Sequence, residues 1–280
     1  MNGSDRAVDE AERGLHRSTT AADFYTRYAA LYDRLASDAP FVMDLRERIV
    51  DALDPARGDV VVEMGCGTGA NFPVLRDRVG PEGTVVGLDF SAGVLRRARD
   101  RIERAGWENV HVARADATAP PVAPADLPRA VTPAGAVDGV LSTFLSGMLD
   151  DPARAIDGWC RLLEPLNRSG STSPGHQSGS TPPGHQSGSA PPGRICVAGF
   201  ARSTHPVGRW LNPVFAGAVR LSTPPGRGRP KPPVALLDAR TLAAHRRVHE
   251  RCSDVHTERT LVGFARITAG SVDPGASSER

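Results

Sequence analysis

One run of the sequence limits the fold more than any other. Val60-Val61-Val62-Glu63-Met64 is an apolar stretch of strand length, and Gly65-Cys66-Gly67-Thr68-Gly69 follows it at once. A helical segment through Leu75 to Val79 comes next. A strand that turns through glycines into a helix brings backbone close to a ligand at the carboxyl edge of an open α/β sheet. The helix start adds unpaired N–H groups and a partial positive charge. Gly65, Gly67 and Ala70 also fit the dinucleotide spacing G-x-G-x-x-G/A. A nicotinamide-dependent oxidoreductase is therefore the rival expectation for such a loop.

The acidic residues around the loop point elsewhere. Glu63 lies two residues before the first glycine, where a carboxylate repels a pyrophosphate and attracts an ammonium group. Asp89 ends the next strand and can accept both hydroxyls of a ribose. Asp116, in Arg114-Ala115-Asp116-Ala117, can accept from an exocyclic amine. Together they specify a ligand with a cationic amino-acid end, a ribose and an adenine, and no phosphate.

The same alternation continues along the chain. Strands are expected over Thr84 to Leu88, Asn109 to Ala113, Val137 to Leu141 and Arg194 to Phe200. Helices are expected over Ser91 to Ala105 and from Pro152 to Leu163. Two amphipathic helices precede the first strand. One carries Phe24, Tyr28, Leu31 and Leu35, and the other, after Pro40, carries Phe41, Leu45, Ile49 and Leu53. Thr241 to Val248 reads as a short helix, with closing strands at Cys252 to Thr257 and Leu261 to Thr268. The fold class is α/β: a mostly parallel sheet with helices on both faces.

Two low-complexity stretches interrupt the pattern. Pro-Gly-His-Gln-Ser-Gly-Ser occurs at 174–180 and again at 183–189. A tract of Gly, Ser, Pro and Gln cannot repay its ordering entropy, so 166–192 reads as an expanded, disordered loop within one domain formed by 18–165 and 193–270. Residues 1–17 and 271–280 read as disordered ends. Thr223 to Pro233, with Arg227, Arg229 and Lys231, reads as a solvated basic loop.

Composition removes other classes. The 34 basic residues nearly balance the 32 acidic ones, which argues against nucleic acid as a partner bound by bulk charge. Apolar runs fall short of the ~18 residues of a membrane span. The polar start, MNGSDRAVDEAERG, lacks the apolar core of a secretory signal. Cys66, Cys160, Cys196 and Cys252 form no CxxC pair and read as reduced thiols of a cytoplasmic protein. His245, His249, Cys252 and His256 are read as an incidental set, and no metal is expected.

The stretches VVVEMGCGTGANF, VVGLDFSAGVLRRAR, NVHVARADA, VDGVLSTFLSGMLDDPARAI and RLLEP…GRICVAGF resemble the class I S-adenosylmethionine-dependent methyltransferases. The likeness is strongest to the small-molecule branch that includes quinone-ring and phospholipid-headgroup enzymes, and it covers residues 20 to 270 apart from the repeat. It implies a Rossmann-like seven-stranded sheet with an antiparallel last strand, and N-terminal helices over the cofactor pocket. It implies that Glu63, Gly65, Cys66, Gly67 and Gly69 surround the methionyl part of S-adenosyl-L-methionine. Asp89 would hold the ribose, Asp116 and Ala117 would face the adenine, and Phe90 would lie against its ring. Ser142 and Thr143 would line the methyl side, with Tyr25 and Tyr32 closing over the cofactor.

The acceptor is expected beyond the ends of strands four and five, at Ser142 to Met148 and Ala201 to His205. His205 is the side chain there that can take a proton near neutral pH. Trp210 to Val219 reads first as a core helix. Its flanking Arg209 and Arg220 leave a second reading, contact with a membrane surface and a lipid-soluble acceptor.

Overall fold

A computed structural model describes residues 40–120, 137–164, 192–222 and 234–272. Seven strands form one sheet: β1 (Val60–Met64), β2 (Thr84–Asp89), β3 (Val110–Arg114), β4 (Gly139–Thr143), β5 (Arg194–Phe200), β6 (Ser253–Thr260) and β7 (Ala265–Ser271). Their spatial order is β3-β2-β1-β4-β5-β7-β6. The first five pair in parallel, while β7 runs antiparallel to both β5 and β6. Strand order reverses direction between β1 and β4, so the crevice for a ligand opens at the carboxyl ends of those two strands. The near-continuous apolar runs of β1 and β2 follow from burial on both faces.

Each face has its own helices and core. Leu45, Ile49, Val50 and Leu53 of α1 (Pro40–Leu53) pack with Val61, Leu141, Cys196 and Ile267 on one side, together with Phe72 and Leu75 of α2 (Phe72–Val79). Helix α3 (Ala92–Ala105) joins the same face through Leu95 and Ala98. The other face holds Trp159 and Ile156 of α4 (Pro152–Leu163) against Val62, Val86, Val140 and Val197. Alternation along each strand explains the split, because neighbouring residues point to opposite faces. Asp138, at the entry to β4, accepts the Val60 N–H and stitches β4 to β1.

Several expectations change. The helix expected over Thr241 to Val248 is α6 (Val234–Arg251), more than twice as long, because its stripe Asp238, Thr241, Ala244, His245 and Val248 is buried. Leu261 to Gly263 is a turn rather than strand, with Leu261 and Val262 at positive φ, and it joins β6 to β7. Helix α5 (Gly208–Ser222) forms where a core helix was expected, but it is no core helix among the described residues. Trp210 is 85% exposed and Val214 71%. Phe215 is its inward anchor, 4.9 Å from the Phe264 ring.

His245 and His249 share a face of α6 and are joined through threonines. His245 Nδ1 meets Thr268 Oγ1 at 2.8 Å, Thr268 meets Thr257 Oγ1 at 2.8 Å, and His249 Nε2 meets Thr257 Oγ1 at 2.9 Å. No metal-holding cluster of His, Cys, Asp or Glu occurs among the described residues. All four cysteines are free thiols. The repeat tract lies outside the described residues, and the described residues that flank it, Leu163 and Gly193, meet. A Cβ on Gly193 would stand 2.8 Å from Leu163 Cβ.

Candidate functional site

The glycine loop spends its own amides. Gly65 and Cys66 N–H groups both donate to the Leu88 carbonyl, at 2.8 and 3.0 Å. Gly67 N–H donates to Asp89 Oδ2 at 3.0 Å, and Gly69 N–H to the Cys66 carbonyl at 3.0 Å. These four amides are turned to the protein's own acceptors and are not offered to a phosphate. Gly65, Gly67 and Gly69 all sit at positive φ. At Gly69 a side chain is doubly excluded, since a Cβ would come within 2.4 Å of the Phe72 ring.

Around the loop stands a buried polar network. Glu63 is 1% exposed, and its Oε1 accepts from Asn71 Nδ2 at 2.5 Å. Asn71 Nδ2 also reaches Thr143 Oγ1 at 3.0 Å, and Asn71 Oδ1 accepts from Arg46 Nη1 at 2.9 Å. Glu63 Oε2 is buried without a hydrogen-bond partner among the described residues. Burial pushes the Glu63 carboxyl up to about 7, opposed by the Asn71 hydrogen bond and by the Arg46 charge. An unpartnered carboxylate oxygen at a crevice calls for a cationic donor.

Asp89 projects from the end of β2. Its Oδ1 accepts from Ser91 N–H at 2.9 Å and its Oδ2 from Gly67 N–H, so the carboxylate is held rigidly with further lone pairs to spare. Burial raises its pKa, opposed by these backbone donors. The Ala115 N–H bonds the Asp89 carbonyl at 3.1 Å, which brings the Asp116 turn beside β2. Asp116 Oδ1 caps that turn, accepting from the Thr118 amide and hydroxyl at 2.8 and 2.7 Å. The Ala117 carbonyl is pinned by Trp159 Nε1 at 2.8 Å. Phe90 is half-buried next to Asp89, with its carbonyl bonded by Arg114 Nε at 2.9 Å.

The remaining named residues fall in different places. The Cys66 side chain turns into the α1-side core rather than toward the crevice, and burial pushes its thiol up. Ser142 is fully buried, and its side chain lies on the sheet face opposite Thr143. Thr143 is the one that touches the Glu63 network. His205 is exposed on the loop after β5, with Nδ1 accepting from Val207 N–H at 3.3 Å. Tyr25 and Tyr32 lie outside the described residues.

Two site residues escaped the sequence reading, Arg46 and Asn71. Both carried a signal. Arg46 is a lone charge on the apolar stripe of α1, between Leu45 and Ile49, and is 7% exposed. Asn71 stands at the start of α2, where it forms no side-chain cap of its own helix.

Comparison with known proteins agrees with this geometry. Residues 61–166 match a methyltransferase domain family. Over 150 residues, 54% of this chain and 49% of the relative, the sequence is 31% identical to a nocamycin O-methyltransferase of Saccharothrix syringae. Over 108 residues, 38% of this chain and 47% of the relative, it is 36% identical to a 2-phytyl-1,4-naphthoquinone methyltransferase of Thermosynechococcus vestitus. In structure it resembles a SAM-dependent methyltransferase from Aquifex aeolicus, with a TM-score of 0.53 at 14% identity, covering 87% of this chain and 98% of that one. Over the matched domain the chain is similar to S-adenosylmethionine-dependent methyltransferases, and it shares their fold. The chain spans about half the length of these two curated relatives, so their acceptors remain theirs.

Proposed function

We propose that the chain moves a methyl group from S-adenosylmethionine to a small, lipid-soluble acceptor, quinone-like or headgroup-like. The observation that carries this reading is the buried, unpartnered Glu63 oxygen beside a loop four of whose amides are already used. That arrangement suits an ammonium and disfavours a pyrophosphate, which sets it against the nicotinamide alternative. The sulfonium cofactor supplies an already activated methyl group. Glu63 accepts the ammonium, Arg46 balances the carboxylate beside it, and Asp89 takes the ribose hydroxyls with its remaining lone pairs. Asp116, Ala117 and Phe90 bound the adenine.

For an in-line displacement the protein mainly aligns the reactants and excludes water, an effect worth roughly 7–11 kcal/mol when orientation is complete. Thr143 fixes the floor of the crevice through Asn71. His205 receives a proton when the acceptor carries one. The names of the two relatives, one an O-methyltransferase and one acting on a phytyl-naphthoquinone, support a small organic acceptor over nucleic acid. No helix among the described residues is long and apolar enough to cross a membrane. The free thiols support a cytoplasmic setting.

The test is thermal stability with added ligand. S-adenosylhomocysteine should raise Tm while NAD+ and NADH leave it unchanged, because only binding to the native state stabilises. Asp89→Ala should weaken S-adenosylhomocysteine binding by about tenfold or more, the ~1.4 kcal/mol or more of a charge-assisted bond. A Tm that responds to NADH alone would overturn the reading.

A further inference from the structure

Helix α5 presents an apolar stripe that nothing among the described residues covers. Trp210, Leu211 and Val214 share one face of the helix, with Val207 just before its start, and the four are 85%, 47%, 71% and 60% exposed. The adjoining side of the helix is the anchored one, through Phe215 on Phe264. An exposed tryptophan among aliphatic side chains is a rarity on a surface meant only for water.

The charged residues of the helix itself have one sign. Helix α5 contains Arg209 and Arg220 and no acidic residue. Across the sequence from 165 to 237 there is no Asp or Glu, against eight Arg or Lys, in a chain whose totals nearly balance. A second copy would set the helix's arginines against one another. A nucleic acid would leave the aliphatic stripe in water. An apolar stripe with an interfacial tryptophan, flanked by arginine, fits the boundary of an anionic bilayer.

We propose that this face of α5 docks on an anionic phospholipid surface. The stripe enters the headgroup region and the two arginines meet lipid phosphates. Placement supports a purpose. Helix α5 begins at the β5 exit loop, where Gly208 packs on Ser203 and on the Val262 carbonyl, at the acceptor end of the sheet. An acceptor dissolved in lipid would reach that end without crossing water. This purpose rests on the acceptor reading above, whereas the docking itself does not.

The experiment is flotation of the full chain with vesicles of phosphatidylglycerol and phosphatidylcholine, against vesicles of phosphatidylcholine alone. Binding should require phosphatidylglycerol, weaken with salt, and shift Trp210 emission to the blue. The double substitution Trp210→Asp with Val214→Asp should reduce binding by about tenfold or more. Because both side chains are exposed, its Tm and its stabilisation by S-adenosylhomocysteine should stay at the parental values. No binding to anionic vesicles would overturn the proposal, as would equal binding by the substituted chain. So would a blue-shifted Trp210 in the free protein, which would mean that another part of the chain or a second copy covers the face. Ligand stabilisation measured without lipid reports separately on the cofactor reading.

Discussion

Glu63 holds a charge in a place that disfavours one until a cation arrives. Its carboxyl sits at about 7 instead of the ordinary 4.5, burial being the main cause. A raised value means that the folded chain binds this proton more tightly than the unfolded chain does. The contribution is therefore complete below the ordinary value and is lost as pH rises through about 7. Glu63→Gln removes the titration. Its Tm relative to the parent should climb as pH rises from about 5 to about 8, measured by calorimetry without ligand. A constant difference would show that the carboxyl ionises normally. Glu63 and Asp89 were legible in the sequence because each stands at a fixed offset from the glycines. Arg46 and Asn71 were not, since Arg46 meets its partner across 25 residues and Asn71 reaches Thr143 across 72. Only the closed sheet brings them together.

At the scale of elements, the turn from β1 to α2 depends on close approach. A Cβ on Gly87 of β2 would lie 2.5 Å from Phe72 Cζ and 2.7 Å from Cys66 Sγ. Gly87→Ala should therefore destabilise by roughly 1–3 kcal/mol through overpacking, read as a lower urea midpoint at unchanged slope. Most strands were readable to within two residues because burial on both faces leaves continuous apolar runs. Helix α5 shows the limit of such reading. Periodicity reveals that a helix has an apolar face, but not whether anything covers it. The α6 stripe misled in the opposite direction, since Asp238, Thr241 and His245 are polar and yet buried. Asp238 pairs with Arg202, and His245 bonds Thr268. Buried polar groups of this kind look like loop to a hydropathy scan.

At the scale of the whole molecule, the repeat tract joins two ends that already touch, Leu163 and Gly193. We expect deletion of 166–191 to leave S-adenosylhomocysteine affinity unchanged and Tm within a few degrees, because loop closure varies only with the logarithm of length. Failure of the shortened chain to fold would show that the tract is structural. The α/β class and the antiparallel strand were both expected from sequence, the second through family likeness. The position of that strand has a consequence for synthesis. Strand β7 lies between β5 and β6, although it is made after both. While the ribosome is still producing β6, the outer edge of β5 has no neighbour, and its unmet backbone groups invite a strand from another molecule. A messenger cut short near residue 260 would thus yield a sticky intermediate instead of a smaller working protein.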